Sequence, residues 1–202
     1  MINWEKALLD ADFSFKLGQL TNMNVIEDYV GELVGTIYMH RHIYEREILT
    51  PRSVKEQIDR LITKGKAEIV DLSTLPSPLE KSLYHEMVTL LKAADAETKE
   101  LGKNWGETVS LAYAKVSGIP YFLSDEKSLQ ALADEYLNTD AQHSITIIRL
   151  KDFMRVLVII VLLTILYKIL YILNVVNPHF SDATPKRRKQ NNRYIGTDNL
   201  IM

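Results

Sequence analysis

Short apolar runs of strand length alternate with stretches of helical periodicity through most of this chain, and that alternation restricts its fold more than any other feature. Strand-like runs fall at 6–10 (KALLD), 36–40 (TIYMH), 67–72 (AEIVDL), 120–124 (PYFLS) and 144–150 (SITIIRL). Between them lie a turn and a helix over 24–33, with Val25, Ile26, Tyr29, Val30 and Leu33 near helical spacing, and a helix over 41–49. Pro51 stops that helix and can open the next, 51–63, which Lys64–Gly65 closes. After Pro76 and Pro78 a further helix sets Leu79, Leu83, Leu90 and Ala94 on one stripe. Helices are expected again at 104–117, ended by Gly118 and Pro120, and at 126–137. Strands separated by helices cannot pair as hairpins, so the expected fold is α/β. It is a three-layer sandwich around a central, mostly parallel five-stranded sheet.

The 202 residues suffice for one such domain and an appendage. The domain is expected over 1–153. The stretch 156–173 is almost wholly apolar, interrupted only by Thr164 and Lys168, so a hydrophobic helix is expected at 154–176, about long enough to cross a hydrocarbon core. Read as a membrane span, it anchors the domain by its C-terminal side. Read as a soluble helix, it needs a partner or a second copy of the chain to cover it. The charge bias does not decide a topology, because Lys186, Arg187, Arg188, Lys189 and Arg193 follow the apolar stretch while Arg149, Lys151 and Arg155 precede it. The segment 177–202 is polar and expected to be disordered.

A formal net charge of −2 offers no long-range attraction to nucleic acid, so such contact would need a local patch. The chain has no cysteine, which excludes disulfides and zinc–thiolate sites and agrees with a reducing cytoplasm. The start, MINWEKALLDAD, lacks the basic-then-apolar pattern of a secretory signal, and a cytoplasmic location is expected.

Four acids stand where a strand gives way to a helix or where a helix opens: Asp10, Glu47, Glu107 and Asp125. In open α/β sheets ligands gather beyond the carboxyl ends of the strands. Asp10 follows the first strand and Asp125 the fourth, so the two share a crevice if those strands are neighbours. Clustered carboxylates repel one another unless a cation neutralises them, and carboxylate oxygens suit Mg²⁺ or Mn²⁺. Metal-assisted phosphodiester hydrolysis is the chemistry that uses such a cluster.

The segments LLDADF, YEREIL and GETVSLAYAKVSGIPYFLSDEKSLQALA together resemble the PIN domain family of metal-dependent nucleases, over residues 6–152 and most strongly over 106–133. The resemblance implies that Asp10, Glu47, Glu107 and Asp125 are the family's four acids, with Asp10 and Asp125 as metal ligands and Glu107 and Glu47 completing the shell. Asp12, Ser124 and Glu126 match its supporting polar positions. Glu45 competes with Glu47, which is preferred because the family's acid precedes an aliphatic, here Ile48. The resemblance further implies an RNA substrate and, as for many members, a toxin-type endoribonuclease with an antitoxin partner. The alternative is a non-catalytic module tethered to a membrane or partner.

Blander roles compete for several residues. Glu107 alone would simply complement its helix dipole. Asp10 and Asp12 match the Asp-x-Asp of haloacid dehalogenase-type phosphatases, but Phe13–Ser14 departs from that motif. Arg41, Arg46 and Arg52 flank Glu47 and are candidates for RNA phosphate contact, although exposed arginines are usually only solvated. His40, His42, His85, His143 and His179 read as surface or strand-end residues. Trp4 and Trp105 read as packing against the sheet more readily than as stacking platforms for bases.

Overall fold

The computed structural model describes residues 4–20, 23–97, 104–139 and 143–176. The tail 177–202, including His179 and the basic cluster of Lys186 to Arg193, lies outside the described residues. The chain divides into two compact units, Met1–Ile160 and Val161–Met202.

The first unit is built on five parallel strands: β1 (Trp4–Leu9), β2 (Val34–His40), β3 (Ala67–Val70), β4 (Tyr121–Leu123) and β5 (Thr146–Ile148). Their order across the sheet is β3-β2-β1-β4-β5. All four pairings are parallel, and Leu9 stands in register with Leu123 across β1 and β4. Side chains alternate between the two faces as strand geometry demands. Ala7, Leu9, Ile37, Met39 and Leu123 enter one core, while Leu8, Val70, Phe122 and Ile147 enter the other. A sheet buried on both faces explains why these strands read as continuous apolar runs.

One face is covered by α1 (Ala11–Gly18) through Phe13 and Leu17, and by α3 (Arg52–Thr63) through Val54, Ile58 and Leu61. The short α2 (Gly31–Leu33) continues a π-helical turn, Ile26–Val30, on the same side. The opposite face is covered by α4 (Pro78–Glu97), α5 (Trp105–Ser117) and α6 (Leu129–Tyr136). Gly118 ends α5 at φ 63°, the left-handed conformation that favours glycine.

The elements follow the expected order, with informative differences. Helix α1 occupies a stretch read as part of a turn, because only Phe13 and Leu17 supply its apolar spacing. The helix expected over 24–33 is mostly a π-helical turn, and α6 starts at Leu129 rather than 126. In α4 the expected stripe holds at Ala94 but not at its leucines. Leu79, Leu83 and Leu90 are 68%, 38% and 37% exposed, whereas Tyr84, Leu91 and Ala94 are buried.

The apolar helix α7 (Leu150–Val176) begins earlier than the expected 154. Its opening turns belong to the first core. Phe153 is fully buried, stacked on Trp4 at 5.8 Å and edge-on to Phe13 at 5.5 Å, and Leu157 is buried one turn on. Trp4 thus serves packing, as expected. In the second unit, every residue from 161 to 171 is exposed, on all sides of the helix. The segment Leu150–Tyr171 is long and apolar enough to cross a membrane by length and composition.

Candidate functional site

The strand order reverses between β1 and β4: from β1 the chain first winds outward through β2 and β3, then returns to the other side of β1. A crevice opens beyond the carboxyl ends of two strands at such a reversal. Asp10 leaves β1 at that point, 1% exposed. Its N–H donates to the Leu123 carbonyl at 3.1 Å, its carbonyl accepts from Ser14 Oγ at 2.6 Å, and its Oδ2 accepts from Ser124 Oγ at 3.1 Å. Ser124 is itself buried and accepts from the Glu126 N–H at 3.3 Å. A relay from the start of the β4–α6 loop therefore fixes the Asp10 carboxylate.

Glu47 closes a π-helical turn, Ile43–Glu47, that leaves the carboxyl end of β2. Ile43 and Ile48 are fully buried on either side of it, and Ile48 N–H donates to the Ile43 carbonyl at 2.9 Å. Those two anchors turn Glu47 inward while Glu45 remains exposed and pairs with Arg41. Of the two competing acids, Glu47 is the one that reaches the site. Gly106 makes room for it. A Cβ at position 106 would lie 2.3 Å from Glu47 Oε1, so any side chain there displaces the carboxylate. Glu107 follows in the first turn of α5.

Asp10, Glu47 and Glu107 interact through their charges. Burial pushes the Asp10 carboxyl up to about 7, reinforced by Glu107 and then Glu47, against stabilisation of the anion by Ser124 and the Ala11 amide. Burial raises Glu47 to about 7 as well, again with Glu107 adding to the effect. His42 Nε2 stands 3.6 Å from Glu47 Oε1, too far for a hydrogen bond. Burial and then the Arg46 charge lower its pKa.

Asp125 is differently placed. Lys16 Nζ lies 2.8 Å from its Oδ2 and Arg149 Nη2 3.3 Å from its Oδ1, and Arg149 also donates to the Asp125 carbonyl. The Lys16 contact first, then the charges of Lys16 and Arg149, hold its carboxyl below the usual range against the opposing effect of burial. Asp12 is exposed and shares Lys16 at 2.6 Å. Glu126, also exposed, accepts at Oε1 from the Ser128 N–H and hydroxyl, at 3.3 and 3.1 Å. Of the arginines expected near RNA, Arg41 pairs with Asp71 and Glu45, Arg52 pairs with Glu56 at 3.0 Å, and Arg46 is exposed.

The structure therefore groups three of the four expected acids and gives the fourth two cations. Lys16 was not singled out in the sequence, and Arg149 was weighed only for the topology of the apolar segment. The signals for them were a lysine one helical turn after Asp12 and an arginine just past β5, at the sheet edge where ligands gather. His40 is buried at the end of β2 rather than on the surface, its Nδ1 accepting from the His42 N–H at 3.2 Å and its Nε2 3.2 Å from Tyr84 Oη.

All the donors in the group are hard oxygens, which fits Mg²⁺ or Mn²⁺ in donor type. Among the described residues, no three histidine or carboxylate side chains stand close enough together to form a ready ligand shell. A cavity of about 420 Å³ opens beside Glu107. Comparison with protein-family models, curated proteins and solved structures finds no match to this chain.

The raised Asp10 carboxyl has a definite effect on stability. The folded protein keeps that proton up to about pH 7, whereas an unfolded chain loses it near 3.8. The native state thus binds more protons in that window, so stability falls as pH rises through it and stays low above it. A shift of this size corresponds to on the order of 4 kcal/mol at most. The melting temperature should rise as pH is lowered from 8 to 5. Asp10→Asn should melt higher than wild type at pH 8, by roughly 4 °C or more, with a flatter pH profile. A wild type that melts higher than the variant at pH 8 would contradict the strained carboxylate.

Proposed function

We propose that the protein is a PIN-like, divalent-metal-dependent ribonuclease that hydrolyses RNA phosphodiester bonds. The observation that carries this reading is the confinement of Asp10, Glu47 and Glu107 at the strand-order reversal, two of them with carboxyls raised to about 7. Carboxyls raised by burial and by one another's charge at a ligand-binding edge support a functional site.

Asp10, Glu47 and Glu107 would hold Mg²⁺ or Mn²⁺. This departs from the expectation that Asp125 is a direct ligand, because Lys16 and Arg149 already neutralise it. Asp125 instead fixes those two cations at the rim, where they can meet RNA phosphates. When bound, such a cation would supply an activated water and shield charge on the phosphate. Ser124 holds Asp10 in one orientation, and Glu47 would help to orient the attacking water. Attack at phosphorus would release the ester oxygen, the proton lost by the water passing to it through solvent.

In purified full-length protein with single-stranded RNA and Mn²⁺, cleavage is expected, and it should vanish with EDTA, in Asp10→Asn and in Glu107→Gln. Cleavage that survives both substitutions excludes this site. The second reading, a non-catalytic module with the same acidic group, is favoured by the absence of a ready ligand shell among the described residues. Folded protein that neither cuts RNA nor gains stability from Mn²⁺ would support it. A toxin role with an antitoxin partner belongs to the first reading.

We also propose that α7 anchors the protein in a membrane. From residue 161 to 171 its apolar side chains are exposed on every side, as lipid requires, rather than on the single stripe a partner helix would cover. Residues 158–176 of the helix span about 28 Å at 1.5 Å per residue, close to a hydrocarbon core of about 30 Å. The chain should stay with membranes after alkaline carbonate washing. A chain carrying Leu162→Lys and Leu166→Lys should be released, since each lysine costs about 3 kcal/mol at the centre of a span. Wild-type protein recovered entirely in the wash would sink the anchor.

A further inference from the structure

Between 158 and 176 the chain carries one charged residue, Lys168, and no aspartate or glutamate. At 1.5 Å per residue, the Cα of Lys168 lies about 15 Å from the level of residue 158 and about 12 Å from that of residue 176. A lysine stem covers about 6 Å, so an ammonium stretched along the helix falls well short of either end of the span. Held in hydrocarbon, it is costly unless a partner satisfies it, and this segment contains no anion to do so. The neighbouring polar residues mark one side of the helix. Between 158 and 171 only Thr164, Tyr167, Lys168 and Tyr171 are not aliphatic. With 3.6 residues per turn, these four fall within about 100° of arc on α7, and the aliphatic side chains cover the rest of the circumference. All four are exposed. Lipid tails suit aliphatic side chains but offer nothing to a hydroxyl or an ammonium. In water a partner helix covers an apolar stripe; in lipid it covers a polar one.

We propose that this polar seam receives the transmembrane helix of another protein, one that carries an aspartate or glutamate at the depth of Lys168. The proposal rests on the membrane anchor proposed above. Charge complementarity decides the occupant. A second copy of the chain, packed seam to seam in parallel, would set Lys168 against Lys168 and concentrate the charge. An acidic helix removes it. The ammonium donates to one carboxylate oxygen, and Tyr171, one turn further along the same side, offers its hydroxyl to the other. The paired ions then present no net charge to the lipid.

The test uses full-length protein reconstituted into phosphatidylcholine vesicles, with energy transfer to synthetic leucine helices of about 20 residues as the readout. The probes differ only at their central position, which is aspartate, leucine or lysine. The aspartate probe should associate at least about tenfold more tightly than the leucine probe. Lys168→Arg should keep that preference and Lys168→Leu should lose it. Lys168→Asp should transfer the preference to the lysine probe, which separates charge pairing from a general attraction between polar helices. Equal association of the aspartate and leucine probes with wild type overturns the proposal, as does a preference for aspartate that survives Lys168→Leu. A chain that pairs with its own second copy through this seam, leaving the aspartate probe unbound, overturns it as well. Flotation of the vesicles distinguishes this failure from failure of the anchor. Protein left behind when the vesicles float refutes the anchor and the pairing together, whereas protein that floats but treats the probes alike refutes the pairing alone.

Discussion

Repulsion among Asp10, Glu47 and Glu107 is the constraint on which the candidate site depends. Each acid is delivered by a different element: the end of β1, the π-helical turn after β2, and the first turn of α5. Burial, reinforced by the charge of Glu107, disfavours the ionised forms of Asp10 and Glu47, and both carboxyls rise to about 7. The surrounding fold supplies the stability that tolerates this arrangement. Asp10 is held by Leu123, Ser14 and Ser124, Glu47 by the buried flanks Ile43 and Ile48, and the space between them by a glycine at 106.

The all-parallel sheet makes that convergence unavoidable. Parallel strands put all their carboxyl ends on one edge, and the reversal between β1 and β4 leaves a gap there that no crossover helix fills. The same edge carries Lys16 and Arg149, both paired with Asp125. The first turns of α7 help to close the first core, under α1 and α3, through Phe153 and Leu157, whereas its exposed continuation belongs to a separate unit.

Much of the fold was legible in the sequence because its signals are local. Strand-length apolar runs, the Gly118–Pro120 stop and the opening of a helix at Pro51 each depend on a few consecutive residues. Helix α1 was not legible, since eight residues whose buried apolar side chains are only Ala11, Phe13 and Leu17 resemble a turn. The stripe on α4 was misread because leucines at 79, 83 and 90 are more apolar by type than Tyr84, yet packing selects the face that Tyr84 shares with Leu91. At the site, Asp10, Glu47 and Glu107 were found from their positions at element ends. The partners of Asp125 were not, because Lys16 is 109 residues away in sequence and only the β1–β4 pairing brings it close. The need for Gly106 likewise appears only once Glu47 stands against it.

The most direct measurement is the melting temperature of the full-length protein at pH 8 as Mn²⁺ is titrated, in wild type and in Glu107→Gln. Ligand binding to the native state alone raises stability, by about 2.7 kcal/mol at a hundredfold excess over Kd. Wild type should therefore gain several degrees at saturation. Glu107→Gln should start from a higher melting temperature, because the repulsion is relieved, and gain little from Mn²⁺. An equal response in both proteins, or none in either, would contradict a shared cation site formed by these three acids.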